Sequence, residues 1–127
     1  MKLVQIIEAK EVAPTVLESL KSFQASFAIT RLSEELTLPY NEYLKQRNSL
    51  IDKYGREPDK DNPLEAQYEG KFIPQDSEEF KLFREELTKL LNEDVDITFK
   101  KLKTDHFKDE HLAGNHVASL YPFFDAT

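Results

Sequence analysis

The chain contains no cysteine, and only three of its 127 residues are glycine. Without cysteine there is neither a disulfide framework nor a thiolate zinc site. The same absence fits a reducing compartment. Three glycines build no phosphate-cradling loop: neither G-x-G-x-x-G nor a P-loop occurs. None of Ser19, Ser22, Ser26, Ser33, Ser49, Ser77 and Ser119 sits in a G-x-S-x-G elbow. Long apolar runs are also missing. None approaches about 18 residues, so no membrane span is expected. The opening MKLVQIIEAKEV lacks a long apolar h-region, so a signal peptide is not expected.

What is present is aromatic and acidic. Hydrophobic residues make up 39% of the chain, with nine Phe and five Tyr, enough for a core. The length suits one domain over residues 1–127. The net charge is −7. Residues 1–55 carry seven acids and seven bases, and residues 97–127 carry four of each. Residues 56–96 carry thirteen acids and six bases, so the excess lies in the middle. Such a field repels phosphate backbones and argues against direct nucleic-acid binding. It would attract a basic partner surface.

KLVQIIE (2–8) is rich in β-branched residues and predicts a strand. Pro14 suits the first turn of a helix. That helix runs on through TVLESLKSFQASFAITRLSEEL without a breaker, with Leu17, Leu20, Phe23 and Phe27 at helical spacing. Pro39 should end or kink it. Tyr40, Tyr43, Leu44, Arg47, Leu50, Ile51 and Tyr54 then form one stripe of an amphipathic helix. Lys53 lies in its last turn, and Gly55 stands where a left-handed cap residue belongs. Residues 56–63 read as a charged loop. Residues 66–75 read as a hairpin turning at Glu69-Gly70. Asp76 and Glu79 predict a capping box. Phe80, Phe83, Leu87, Leu90 and Leu91 mark a second long helix.

Val95, Ile97 and Phe99 alternate with Asp96, Thr98 and Lys100, as in a half-buried strand. The basic KKLK at 100–103 would then discourage edge pairing. Two short helical pieces follow, with Gly114 closing the first and Asn115 capping the second. The expected fold class is α+β and helix-dominated. It holds an antiparallel pair of long helices and a small antiparallel sheet, in the order β-α-α-ββ-α-β-α.

His106, His111 and His116 fall at steps of five, roughly 140° apart on a helix, so they do not share a face. Only His106 and Glu110 do, and two ligands do not make a site. No metal, cofactor or catalytic residue is assigned. The acid pairs Glu78-Glu79 and Glu85-Glu86 lie among Lys81, Arg84 and Lys89, the pattern of an exposed helix. The residues left for contact with a partner are Tyr40, Tyr43, Arg47 and Tyr54 on the first stripe. To these are added Asp59, Asp61, Glu65 and Glu69 in the acidic segment, and Tyr121, Phe123 and Phe124 in the closing apolar run.

RLSEEL through YLKQRNSLIDKYG, then EGKFIP, then SEEFKLFREELTKLLNEDVDI, resembles short uncharacterised proteins encoded by tailed phages of Gram-positive bacteria. The resemblance covers about residues 31–97. It implies a phage or prophage gene, and a location in the host cytoplasm or the virion. That family has no assigned activity, so no site residue carries over. The expected function is a non-enzymatic interaction protein, a virion or assembly component or an accessory factor, acting on a phage or host protein. A second expectation is an inhibitor of a host defence or nucleic-acid enzyme that uses the acidic 56–96 face. A third is a small-molecule-binding protein built at the interface of a homo-oligomer.

Overall fold

Helix α1 (Leu3–Ser19) occupies the place expected for the first strand. In the computed structural model, which describes residues 1–125, the Gln5 side chain accepts from the Lys2 amide at 3.0 Å and starts this helix. Leu3, Ile6, Ile7, Ala9, Ala13 and Val16 are its buried residues. The β-branched run is therefore overridden by a longer helical pattern that continues past Val12. Pro14 lies deep inside α1 rather than at its first turn. It removes the backbone bond to Lys10, and the helix carries on regardless.

The helix expected to run from Pro14 through Leu36 does not exist as one piece. α1 ends at Ser19, Leu20 is extended, and α2 (Phe23–Glu35) begins after Ser22. The Ser22 hydroxyl accepts from the Ala25 amide at 3.1 Å, a local N-cap. Lys10 locks the resulting hairpin of helices. Its ammonium donates to the Ser33 carbonyl (2.8 Å), the Ser33 hydroxyl (2.9 Å) and the Thr37 hydroxyl (3.0 Å). A cation is thereby held near the carbonyl end of α2, where the helix dipole favours it. α2 stops before Pro39, which occupies the first turn of α3 (Thr37–Tyr54), where a missing amide costs little.

The chain divides into two compact units. The first comprises residues 1–41 and the chain from Asp94 onward. Its core joins Ile6, Ala9, Ala13 and Val16 of α1 with Ala25, Ala28, Ile29 and Leu32 of α2. Alanines on the facing surfaces let these helices approach closely. Leu36, Leu102, Phe107, Leu120 and Phe123 complete it. Phe107 lies in a 3-10 turn (Thr104–Phe107), Leu120 in α5 (Gly114–Leu120), and Phe123 in a second 3-10 turn (Tyr121–Phe123). Gly114 and Asn115 both lie within α5, whose cap position is Ala113. The expected assignment of Gly114 as terminator and Asn115 as cap is thus shifted by two residues.

The second unit is Glu42–Glu93. It holds the rest of α3, a long connection, and α4 (Glu78–Leu91). Ser77, not Asp76, caps α4: its hydroxyl accepts from the Phe80 amide at 3.2 Å and donates to the Pro74 carbonyl at 2.6 Å. Tyr54 and Gly55 at the end of α3 share a pocket with Ser77 and Glu79 at the start of α4. Lys53 reaches Glu86 at 3.4 Å. The two helices therefore run antiparallel.

No strand forms among the described residues, so the expected antiparallel sheet is overturned. Three isolated bridges stand in its place: Lys2 with Asp94, Arg56 with Phe72, and Leu102 with Phe124. The alternation at Val95, Ile97 and Phe99 does mark burial, since these three pack against the first core. Their backbone finds no ladder. The Val95 amide donates to the Met1 carbonyl at 2.7 Å, and the Lys100 amide to the Glu35 carboxylate at 2.9 Å. Residues 66–75 are likewise not a hairpin. Phe72 pairs with Arg56 rather than across Glu69-Gly70. Gly70 keeps a turn conformation with φ of 74°.

Candidate functional site

The connection between α3 and α4 is the most organised surface of the second unit. Long connections without secondary structure are either built for a purpose or loose. This one is built. Arg56 and Phe72 close its neck through amide–carbonyl pairs of 2.9 and 3.0 Å. The Arg56 guanidinium lies 4.8 Å from the centre of the Phe72 ring and grips Glu65 with two nitrogens, at 2.8 and 3.0 Å. This paired fork is the strong form of an arginine–carboxylate contact. Glu65 also accepts from the Asp59 amide at 3.0 Å and the Asn62 side chain at 3.4 Å. The Arg56 contact, with the Asp59 amide behind it, holds the Glu65 carboxyl below its ordinary range.

Smaller turns fill the loop. The Asp59 carboxylate accepts from the Asp61 amide at 3.0 Å, and the Asn62 side-chain oxygen from the Leu64 amide at 2.9 Å. Both are side-chain turns of the Asx type. Lys60 donates to the carbonyls of Tyr68 (2.7 Å) and Ala66 (3.4 Å), and Lys71 to that of Asp52 (3.4 Å). Arg56 and Lys60 are thus engaged by acceptors of the loop itself, and Lys71 by one in α3. Glu57, Asp59, Asp61 and Glu69 are exposed to solvent. So are Leu64, at 78%, and Tyr68, whose ring stacks on Phe72 at 4.7 Å. The loop presents an apolar point amid carboxylates.

The residues singled out from the sequence fall into three groups. Asp59, Asp61, Glu65 and Glu69 all belong to this loop, but Glu65 faces inward as its anchor. Tyr40 and Tyr54 are half-buried on α3. Tyr43 is buried, with the Arg47 guanidinium 5.8 Å from its ring centre, so that part of the stripe is packing rather than free surface. At the C-terminal side, Tyr121 is 74% exposed and Phe123 fully buried. Phe124 is half-buried, edge-on to Phe107 at 5.3 Å. Phe123 therefore serves the core and not a partner.

Sequence reasoning missed Arg56, Leu64 and Tyr68. The signal for the first lay in the Asx-forming residues Asp59 and Asn62, which foretell a structured loop needing an anchor. Sequence reasoning gave Phe23 and Phe27 only a helical spacing, with no statement of which face they take. They are exposed at 79% and 54%, because α2 buries its alanine face instead.

His106 is half-buried and its Nδ1 has no hydrogen-bond partner among the described residues; His111 is exposed and His116 half-buried. No group of three or more His, Cys, Asp or Glu that could hold a metal ion occurs among the described residues. No described helix is long and apolar enough to cross a membrane. In comparisons with known proteins, no family model, no curated protein and no solved structure matches this chain.

Proposed function

We propose that the protein is a small non-enzymatic contact protein of phage type, acting on a phage or host protein in the host cytoplasm or in the virion. The observation that carries this reading is the loop from Arg56 to Phe72. It is held rigid by Arg56 and Glu65 yet exposes Leu64 among acids. A surface ordered before binding loses less entropy on association. Its partner has an apolar notch ringed by basic residues. The sequence resemblance over residues 31–97 supports the phage setting.

The engagement of Arg56, Lys60 and Lys71 by neighbouring acceptors also favours the alternative, an inhibitor docking its acidic face on a basic groove of a host defence or nucleic-acid enzyme. Capture from lysate of the presumed host, with wild-type chain and with Leu64→Asp and Asp61→Lys variants, tests both. On the contact reading, Leu64→Asp weakens capture by at least about tenfold and Asp61→Lys weakens it less. On the inhibitor reading, Asp61→Lys is the worse variant and capture falls steeply with salt. Capture that ignores both substitutions sinks both readings.

A further inference from the structure

Flat side chains form a row in the loop from Arg56 to Phe72. The Phe72 ring has the Arg56 guanidinium 4.8 Å from its centre and the Tyr68 ring 4.7 Å away, parallel to within 6°. The row is held from behind. Glu65 grips Arg56, and the main chains of Arg56 and Phe72 pair with each other. One face of Tyr68 lies on Phe72, yet the residue is 43% exposed, so its other face is open. An open ring face accepts another aromatic group or a cation.

Charge decides between them. Residues 56–72 hold five acids and three bases. Arg56 takes Glu65 and lies within reach of the Asp59 charge. Lys71 turns to the Asp52 carbonyl in α3. Beside Tyr68 stand Glu69, which follows it in the chain, and Asp61, which follows Lys60. Both are exposed, and neither is ion-paired among the described residues. The base beside them is Lys60, its ammonium 2.7 Å from the Tyr68 carbonyl. Two carboxylates against one ammonium leave a negative surround, which draws a cation and repels a phosphate-bearing ring. A guanidinium suits the place better than an ammonium. It lies flat on a ring and offers a fork to a carboxylate, whereas lysine is a strongly hydrated point charge. Arg56, set against Phe72 and Glu65, already shows this combination inside the loop. Tyr68 and Glu69 offer the same pair of groups outward.

We propose that the open face of Tyr68, with Glu69 beside it, receives an arginine side chain of the partner protein. The inference rests on the reading of the loop as a docking surface, and names the group that the loop grips. The test uses two fluorescein-labelled octapeptides, one alternating arginine with serine, the other lysine with serine. Each is titrated with the full chain at about 150 mM salt and followed by fluorescence anisotropy. The arginine peptide is expected to bind at least about tenfold more tightly. Tyr68→Phe should keep that preference and Tyr68→Leu abolish it. Glu69→Gln, which leaves the ring row untouched, should weaken the arginine peptide several-fold. A lysine peptide that binds as well, an arginine peptide that does not bind, or a Tyr68→Leu chain that binds it like wild type would each overturn the contact. Host lysate separates this contact from the reading beneath it. Capture lost in Leu64→Asp but intact in Tyr68→Leu removes the arginine and leaves the docking loop standing. A wild-type chain that captures nothing removes the docking reading, and this contact with it.

Discussion

Glu110 shows how much of a fold can rest on one side chain. Its carboxylate accepts from the Lys21 amide at 3.0 and 3.1 Å and from the Ser22 amide at 2.8 Å. These are the free amides at the break between α1 and α2. The Ser22 amide, then that of Lys21, holds the Glu110 carboxyl below its ordinary range. Glu65 is lowered in the same direction by Arg56. For a carboxyl lowered by folding, stabilisation is full above the unfolded pKa, about 4.3. It is lost as pH falls through the folded value. Glu110→Gln is therefore expected to melt earlier than wild type at pH 7, with a narrower gap at pH 3, below the unfolded value. Thermal melts followed by circular dichroism at both pH values check this. A constant gap at both would mean that the charge plays no part.

At the scale of elements, Gly55 ends α3 for a reason different from the one its sequence position suggests. Its φ is not positive. A Cβ there would collide with the Ile51 carbonyl oxygen and press on the Phe72 backbone. The Gly55 amide already donates to that Ile51 oxygen at 2.7 Å. Gly55→Ala is expected to cost about 1–3 kcal/mol and to speed proteolysis within the loop from Arg56 to Phe72, as gel-resolved digestion would show. The helices with long apolar periods, α3 and α4, were legible in the sequence, as were the breaks at Pro39 and Gly55. The strands were not. Alternation at 95–99 reports which side chains face a core, and nothing local tells an extended segment whether a neighbouring backbone awaits it. KLVQIIE failed through the converse: a local strand preference lost to a helical register set by Ala9, Ala13 and Val16. The candidate loop was legible as charged and turning. Its anchor, Arg56 with Glu65, was not, because the pair spans nine residues of irregular chain.

At the scale of the whole molecule, the first core draws on both ends of the sequence. Phe123 is fully buried and edge-on to Phe99 at 5.1 Å. The Leu102 amide donates to the Phe123 carbonyl at 2.8 Å, and the Asp125 amide to the Leu102 carbonyl at 2.8 Å. Phe123→Ala is expected to cost about 3–5 kcal/mol, a large share of the ~5–15 kcal/mol that holds a typical domain together. Urea denaturation would measure it. A loss below about 1 kcal/mol would mean that the closing turn contributes little to the core.

The Glu110 clamp has a consequence in time. Residues 1–36 leave the ribosome well before Glu110 is made, since synthesis runs from the N-terminus. Until then the Ser22 cap and the Lys10 contacts with Ser33 and Thr37 hold the two helices, while the Lys21 and Ser22 amides have water as their partner. The turn between α1 and α2 is therefore completed late, once Glu110 arrives. A nascent chain halted before residue 110 holds both helices without the carboxylate that satisfies the amides between them.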